Sequence, residues 1–136
     1  MKAVDTNVLA RFFINDEDDR EATKQRPAAI AAMSEAVFVS LTVILEFEWV
    51  MRGFYELSRK DIQRIFESLC GLENIQIENR NIVLTALNAY QLGLDFADAM
   101  HLARADSCSA FLSFDQRLKK RAMAANLLPH VETPIA

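Results

Sequence analysis

The sequence predicts an α/β fold in which a small parallel β-sheet is flanked by helices in three layers, α/β/α. Short β-like runs alternate with helical segments along the whole chain, and no linker, repeat or low-complexity stretch interrupts them. Strands that alternate with helices of this length are typical of crossover units, which place the strands parallel. The chain has 136 residues, of which 51% are hydrophobic and 25% are charged, so we expect a single domain over residues 1–136 with a core of its own.

The chain is predicted to open with a short strand at residues 2–4 and a helix at residues 6–14. The strand stops at Asp5, and the apolar side chains of the helix recur on one side. The next segment, residues 16–36, also has a helical pattern. Because Pro27 lies inside this segment and removes a backbone hydrogen bond, we expect two helices or a kink there.

The middle of the chain is predicted to form a second strand at residues 37–40 and a helix at residues 41–52. We expect Gly53 to end this helix as a left-handed residue. The run Ser58-Arg59-Lys60-Asp61 matches a capping box, in which the serine caps a helix and an acid follows three residues later. Apolar residues at core spacing follow, and the helix is expected to close at Gly71.

The rest of the chain continues the alternation. We predict a strand at 75–77, a helix at 79–90 capped by Asn79, a helix at 95–105, a strand at 110–113 and a helix at 115–125. All three glycines fall at the ends of predicted helices, so none is left for a loop that cradles phosphate. The sequence therefore excludes a P-loop and a dinucleotide fingerprint.

Composition and cysteine spacing indicate the cellular environment of the protein and limit the ligands it can bind. Cys70 and Cys108 have neither metal-ligand nor disulfide spacing, and we expect both to be buried small apolar residues in a reduced cytoplasm. No signal-peptide pattern is present, and the longest apolar stretch, residues 37–45, is too short to span a membrane. The net charge of −4 argues against tight non-specific binding of nucleic acid, but not against a small, metal-bridged site.

Four carboxylates lie where a predicted strand gives way to a helix, or just inside that helix. They are Asp5, Glu46, Asp98 and Asp115. A parallel α/β sheet collects such positions in one crevice, at the carboxyl ends of its strands. Carboxylates gathered there repel one another unless a cation holds them, and oxygen ligands suit Mg²⁺ or Mn²⁺. The chain is therefore predicted to be a metal-dependent enzyme acting on phosphates, with at least one raised carboxylate pKa when no metal is bound.

The three aspartates also have a simpler explanation, as helix caps. Asp5 and Asp115 each follow a strand and precede a helix, which is where an N-cap aspartate is found. Asp95 and Asp98 have the spacing of an N-cap and the third helical residue. Capping and metal binding remain open for all of them, although Asp98 in the first helical turn is well placed to stay ionised.

Three further side chains have competing interpretations. Glu46 lies in a nearly apolar helix and is alternatively a surface charge, although we expect Glu48 to be the more exposed of the two acids. Ser113 either binds a metal ligand or phosphate oxygen, or is a plain strand-end hydroxyl. His101 lies within an apolar helix, and we expect it to be a core or interface residue rather than a catalytic one.

With these segments in place, the chain resembles PIN-domain proteins, and most closely the VapC-type toxins of bacterial toxin–antitoxin pairs. The resemblance covers nearly the whole chain. It is carried by Val4-Asp5-Thr6-Asn7-Val8, Leu45-Glu46, Asp95-Phe96-Ala97-Asp98-Ala99 and Ser113-Phe114-Asp115. Each motif alone is weak, but four in this order are specific. Ser113 stands where many relatives have threonine, which keeps the hydroxyl.

The resemblance implies a small parallel sheet with helices on both sides and endonucleolytic cleavage of RNA. It also makes Asp5, Glu46, Asp98 and Asp115 both the metal ligands and the catalytic residues, with Asp5 and Asp98 as the direct ligands of Mg²⁺ or Mn²⁺. Family members typically form homodimers. A cognate VapB-type antitoxin silences them through a C-terminal segment that reaches the acidic site.

Alternative functions stay open at this point. A PIN nuclease can process RNA without being a toxin. An aspartyl-phosphate phosphatase or receiver-like domain would need a second aspartate soon after Asp5, where Thr6 and Asn7 stand, and a lysine at a later strand end. A non-catalytic interaction module would use the acids only as caps. Apolar surface around residues 12–13 and 47–54 leads us to expect a second copy or an antitoxin helix as a partner.

Overall fold

Three short parallel strands organise the first part of the chain. The computed structural model describes residues 1–136, which fold as an N-terminal unit, Met1–Arg80, and a C-terminal unit, Asn81–Ala136. In the N-terminal unit β1 (Lys2–Ala3), β2 (Val37–Val39) and β3 (Ile75–Ile77) form one sheet in the order β1-β2-β3. Both pairings are parallel, as predicted, with Ala3 beside Phe38 and Val39 beside Ile77.

Four helices complete the N-terminal unit: α1 (Thr6–Phe13), α2 (Arg20–Met33), α3 (Leu41–Gly53) and α4 (Arg59–Cys70). Helix α2 begins later than predicted because Asp19 caps it, accepting hydrogen bonds from the backbone N–H groups of Glu21 and Ala22. Pro27 does not divide this segment into two helices. It lies inside a continuous α2 with its ring on the exposed side.

Helix ends follow the predicted caps in some places and depart from them in others. Ser58 caps α4 by accepting the N–H of Asp61 at 3.1 Å, which confirms the capping box. The prediction for Gly53 is wrong, because only Gly93 among the glycines has a positive φ, and Gly53 is the last residue of α3. Asn79 has a φ of 49° and therefore lacks the extended backbone of a normal N-cap.

The core of the N-terminal unit contains a row of phenylalanine rings from three helices. Phe47 of α3 is fully buried, and its ring centroid lies 6.1 Å from that of Phe13 on α1 and 5.8 Å from that of Phe66 on α4. Offset and edge-on ring pairs at these distances are favourable. This packing fixes α3 against α1, and with it the side chains that both helices present near their N-termini.

The C-terminal unit contains α5 (Arg80–Gln91) from its second residue onward, α6 (Phe96–Arg104), β4 (Phe111–Leu112), α7 (Gln116–Ala124) and β5 (Val131–Glu132). Strands β4 and β5 pair in parallel, with Phe111 beside Val131. Strand β5 was not predicted, and the strands are divided between two sheets rather than forming one. The predicted α/β class with parallel strands is confirmed. None of the helices is both long enough and apolar enough to cross a membrane.

Two predictions about single residues are wrong, and one of the two alternatives for a third is excluded. Glu48 is 3% exposed and forms an ion pair with Arg52, with 3.0 Å between Glu48 Oε2 and Arg52 Nε, so it is the buried acid of α3 and Glu46 the exposed one. Cys70 is buried as predicted, but Cys108 is exposed. His101 is exposed, since the buried face of α6 is formed by its apolar residues, so the core alternative is excluded and the interface alternative stays a prediction.

Candidate functional site

Asp5 and Glu46 lie in the N-terminal unit, Asp5 directly before α1 and Glu46 within α3. Asp5 is exposed and caps α1, with its Oδ1 accepting the N–H of Val8 at 3.2 Å. Glu46 is held by the first residue of α1, because the Thr6 hydroxyl donates a hydrogen bond to Glu46 Oε1. Asp5 is therefore positioned by the start of α1, and Glu46 by the hydroxyl of the adjacent Thr6.

Thr6 is a residue of this site that our sequence analysis missed as a functional side chain. It is 4% exposed and lies on the buried face of α1 with Leu9 and Ala10. A hydroxyl on an apolar helix face needs a hydrogen-bond partner, since burying it alone is costly. The helical spacing of residues 6, 9 and 10 was the signal in the sequence that pointed to such a partner.

Asp98 and Asp115 lie in the C-terminal unit and share a pocket of about 160 Å³ with Asp95. The other residues that line this pocket are Leu94, Arg117, Leu118 and Arg121. Asp95 is the N-cap of α6, and its Oδ2 accepts the N–H of Asp98 at 3.3 Å. The structure thus places two of the predicted site residues beside a third acid, in a concave and partly charged space.

Asp115 is the N-cap of α7, and Ser113 supports it. Its Oδ1 accepts the N–H of Arg117 at 3.0 Å and that of Leu118 at 3.1 Å. The hydroxyl oxygen of Ser113 in turn accepts the N–H of Asp115 at 3.0 Å. Ser113 therefore fixes the backbone at Asp115. This role was not among the two predicted for its hydroxyl, which were binding a metal ligand or phosphate oxygen, or none beyond ending the strand.

The pKa of Asp98 is raised from its ordinary value of 3.8. Partial burial is the largest cause, the negative charges of Asp95 and Asp115 add to it, and the His101 side chain acts in the opposite direction. The predicted raised carboxylate pKa is thus confirmed in direction, although burial contributes more than crowding. A bound cation would favour the ionised form of Asp98 and so reverse this shift.

Helix capping leaves one oxygen of each capping aspartate, Asp5, Asp95 and Asp115, without a backbone hydrogen bond. In each of the three caps a single oxygen accepts the backbone N–H groups: Oδ1 of Asp5, Oδ2 of Asp95 and Oδ1 of Asp115. A carboxylate has two oxygens and about four lone pairs. The capping and metal-binding interpretations of these aspartates are therefore compatible.

The chemistry of these oxygen donors suggests a hard divalent cation. No three His, Cys, Asp or Glu side chains are grouped closely enough to hold a metal ion, although three acids line the 160 Å³ pocket. Mg²⁺ does not require such a group, because it keeps several waters and takes only one or two carboxylates directly. The oxygen-only donors and the raised pKa of Asp98 fit a hard cation of this kind.

A larger and more open groove runs along β1 in the N-terminal unit. It has a volume of about 770 Å³, and Asp5 lines it together with Lys2, Glu35 and apolar residues of β1, α1 and α2. The groove brings no second candidate acid to Asp5. It offers space for an extended ligand beside that residue.

Comparison with known protein families gives one match. The family model described as PIN domain matches residues 2–123, a range that includes Asp5, Glu46, Asp98 and Asp115. None of the curated proteins matches the sequence.

Proposed function

Because this chain belongs to the PIN-domain family, whose members are generally metal-dependent nucleases, we propose that it is a Mg²⁺-dependent endoribonuclease. We further propose that it is the toxic component of a VapC-type toxin–antitoxin pair. The observation that carries the nuclease proposal is the carboxylate pocket around Asp98, whose charges are unfavourable until a cation binds.

Asp5 and Asp98 are proposed to hold Mg²⁺, or Mn²⁺ in its place, and Glu46 and Asp115 complete the set of metal-binding and catalytic residues. A divalent cation at such residues supplies charge neutralisation at the phosphate and a lower pKa for water. The capping aspartates, Asp5 and Asp115, contribute ligands whose orientation is already fixed by the backbone. No rearrangement of α6 or α7 is needed to bring their carboxylates to the surface of the pocket.

Glu46 is proposed to accept the proton of the attacking water. Its Oε1 accepts the Thr6 hydroxyl, which leaves Oε2 as the basic atom. Glu46 is exposed and therefore accessible to water and to an RNA strand. Thr6 would act as a positioning residue, because its hydroxyl bonds to Glu46 and keeps that carboxylate in one orientation.

Exposed aromatic residues support a protein partner. Trp49 on α3 is 61% exposed, and Phe54, which directly follows α3, is 67% exposed. Aromatic side chains are enriched at protein-binding surfaces. We propose that this surface serves a homodimer or the cognate VapB-type antitoxin, and that no membrane is involved.

A non-catalytic interaction module is the second candidate function. The observation that favours it is that Asp5, Asp95 and Asp115 all cap helices, while no group of three metal-ligating side chains is formed. In that case the acids would stabilise helices and bind no metal.

The deciding experiment is an RNA cleavage assay with the purified, partner-free protein. A tRNA pool is incubated with Mg²⁺, with Mn²⁺ and with EDTA, using the wild type, Asp5→Asn, Asp98→Asn and Asp61→Asn. Asp61 is a matched control, because it is the third residue of a capped helix, as Asp98 is, but lies on α4 outside the pocket. Metal-dependent cleavage lost only in the first two variants supports the nuclease.

The opposite result would identify the interaction module. No cleavage of any RNA, together with no rise in Tm on addition of metal, means that the acids are only caps. Cleavage without growth arrest on expression in a bacterial host would instead replace the toxin with an RNA-processing role.

A further inference from the structure

Two arginines line the carboxylate pocket of the C-terminal unit. Arg117 and Arg121 lie four residues apart on α7, and therefore on one face of this helix. Both are exposed at the surface. Cations beside three carboxylates would usually be interpreted as partners of those acids, so the contacts they form decide what they are for.

Neither arginine is paired with the acids. The ion pairs of the structure include no contact between these guanidinium groups and Asp95, Asp98 or Asp115. Arg121 is instead anchored to the backbone, because its Nη1 donates to the carbonyl oxygen of Gly93 at 3.1 Å. A guanidinium has five N–H donors in a planar fork, so most of them remain for a ligand at the edge of the pocket.

The charges of the pocket suggest which ligand that is. Three ionised carboxylates and two guanidinium groups give one net negative charge, and a bound divalent cation would make the pocket net positive. A phosphodiester carries one negative charge per phosphate and presents two oxygens in the geometry that an arginine fork fits. A carboxylate ligand would fit the same fork but would not suit the proposed nuclease.

We propose that Arg117 and Arg121 bind backbone phosphates of the RNA on either side of the bond to be cleaved, and so position the strand over the carboxylate pocket. This inference rests on the proposed nuclease function, which it extends to how the substrate is held. The two arginines are positioning residues, and the carboxylates remain the catalytic ones. Arg121 is set by its bond to Gly93, whereas Arg117 is free to follow the strand.

The lysines of the same helix provide matched controls. Lys120 is exposed and does not line the pocket, so Lys120→Ala removes the same charge from α7 without removing a proposed phosphate contact. Lys119 is less suitable, because its Nζ lies 3.4 Å from the hydroxyl of Thr133. A general attraction of RNA to a basic helix would make Lys120 and Arg117 equivalent.

The test measures RNA binding and cleavage separately. Binding of a fluorescently labelled single-stranded RNA oligonucleotide is followed by anisotropy over a series of salt concentrations, in EDTA and with Ca²⁺, which matches the charge of Mg²⁺. The proteins are the wild type, Arg117→Ala, Arg121→Ala, the double variant, Arg117→Lys and Lys120→Ala. The KM and kcat values for the same RNA are then measured with Mg²⁺, and Tm is recorded for every protein, since Arg121→Ala also removes the bond to Gly93.

We expect each arginine-to-alanine change to weaken binding roughly tenfold, the effect of losing one hydrogen-bonded contact to a charged group. The slope of log Kd against log salt concentration should fall by about 0.7 for each phosphate contact removed. KM should rise while kcat changes little, and Arg117→Lys should restore the salt slope but only part of the affinity. Lys120→Ala should change Kd less than twofold.

Two results would overturn the inference. One is an Arg117→Ala protein that binds RNA as tightly as Lys120→Ala does, and the other is a wild type that binds no more tightly than the double variant. Failure of the nuclease proposal is a different result, because it appears as absent cleavage in the wild type whatever the binding series shows.

Discussion

Asp98→Asn is expected to raise the stability of the metal-free protein at neutral pH while abolishing metal-dependent cleavage. Asp98 is partly buried beside two other carboxylates, and its raised pKa means that the folded protein disfavours its ionised form. Asparagine has nearly the same shape and no charge. It should therefore relieve the burial and the repulsion but bind a cation poorly.

The pH dependence of this gain follows from the direction of the shift. An acid with a raised pKa in the folded state binds its proton more tightly there than in the unfolded chain. The wild type therefore loses stability as the pH rises from 3.8, the ordinary value, through the raised pKa of Asp98. The advantage of Asp98→Asn should be largest near pH 7 and should disappear below about pH 3.8.

Asp61→Asn is the control with which the change in Tm of Asp98→Asn is compared. Both acids are the third residue of a capped helix, where the helix macrodipole favours a negative charge by about 0.3–1 kcal/mol. Asp61 is half exposed, and its Oδ1 lies 3.8 Å from Arg64 Nη1, so Asp61→Asn should simply lose this benefit. Its Tm should fall by about 1–5 °C for a domain of this size. Burial and repulsion at Asp98 must exceed the same dipole benefit for its Tm to rise.

The assay is thermal unfolding by circular dichroism at pH 3.5 and pH 7, with EDTA and with Mg²⁺. At ten times its Kd, Mg²⁺ should stabilise the wild type by about 1.4 kcal/mol and leave Asp98→Asn unchanged. A fall in the Tm of Asp98→Asn at pH 7 as large as that of Asp61→Asn would refute the reasoning. So would an equal response of both variants and the wild type to Mg²⁺.

Three further outcomes are expected. Thr6→Val should lower kcat about 10–100-fold with little change in KM, because the orientation of Glu46 is lost, whereas Thr6→Ser should retain activity in the same cleavage assay. Asp115→Ala should lower stability in urea unfolding by about 1 kcal/mol through loss of the cap, whereas Asp115→Ser should keep the stability, and neither should cleave RNA. Arg52→Ala should lower the free energy of unfolding by about 1–3 kcal/mol in the same experiment, because it leaves the buried Glu48 without its ion-pair partner. The loss is smaller than for a fully buried pair, since the Arg52 side chain is 47% exposed.

The elements that the sequence predicted best are those set by local interactions. Ser58, Asp95 and Asp115 each accept a backbone N–H two or three residues ahead, so the beginnings of α4, α6 and α7 are encoded within one helical turn. Strand β5 could not be found in this way. It is two residues long, and it exists because Val131 pairs with Phe111, twenty residues earlier in the chain.

The burial of polar side chains on α1 and α3 was predicted less well, although part of the signal was present. Glu48 and Arg52 have the i, i+4 spacing of a helical ion pair, which indicated that Glu48 had a partner and could be buried. Thr6 shares the helix face of Leu9 and Ala10. The sequence could not show that Glu46 on α3, forty positions away, accepts the hydrogen bond of the Thr6 hydroxyl.

Asp5 and Asp115 serve both as helix caps and as proposed ligands, and the two roles suit each other for a physical reason. A capping carboxylate has one oxygen fixed by backbone N–H groups, so its side chain has lost its rotational freedom before any ligand arrives. A cation that binds the second oxygen then has less conformational entropy to overcome than it would at a free surface aspartate. For this reason an alanine at Asp5 or Asp115 removes a cap and a ligand together and cannot tell the two roles apart. Serine keeps the cap and removes the carboxylate, so a stable but inactive Asp115→Ser would separate helix stabilisation from catalysis at this residue.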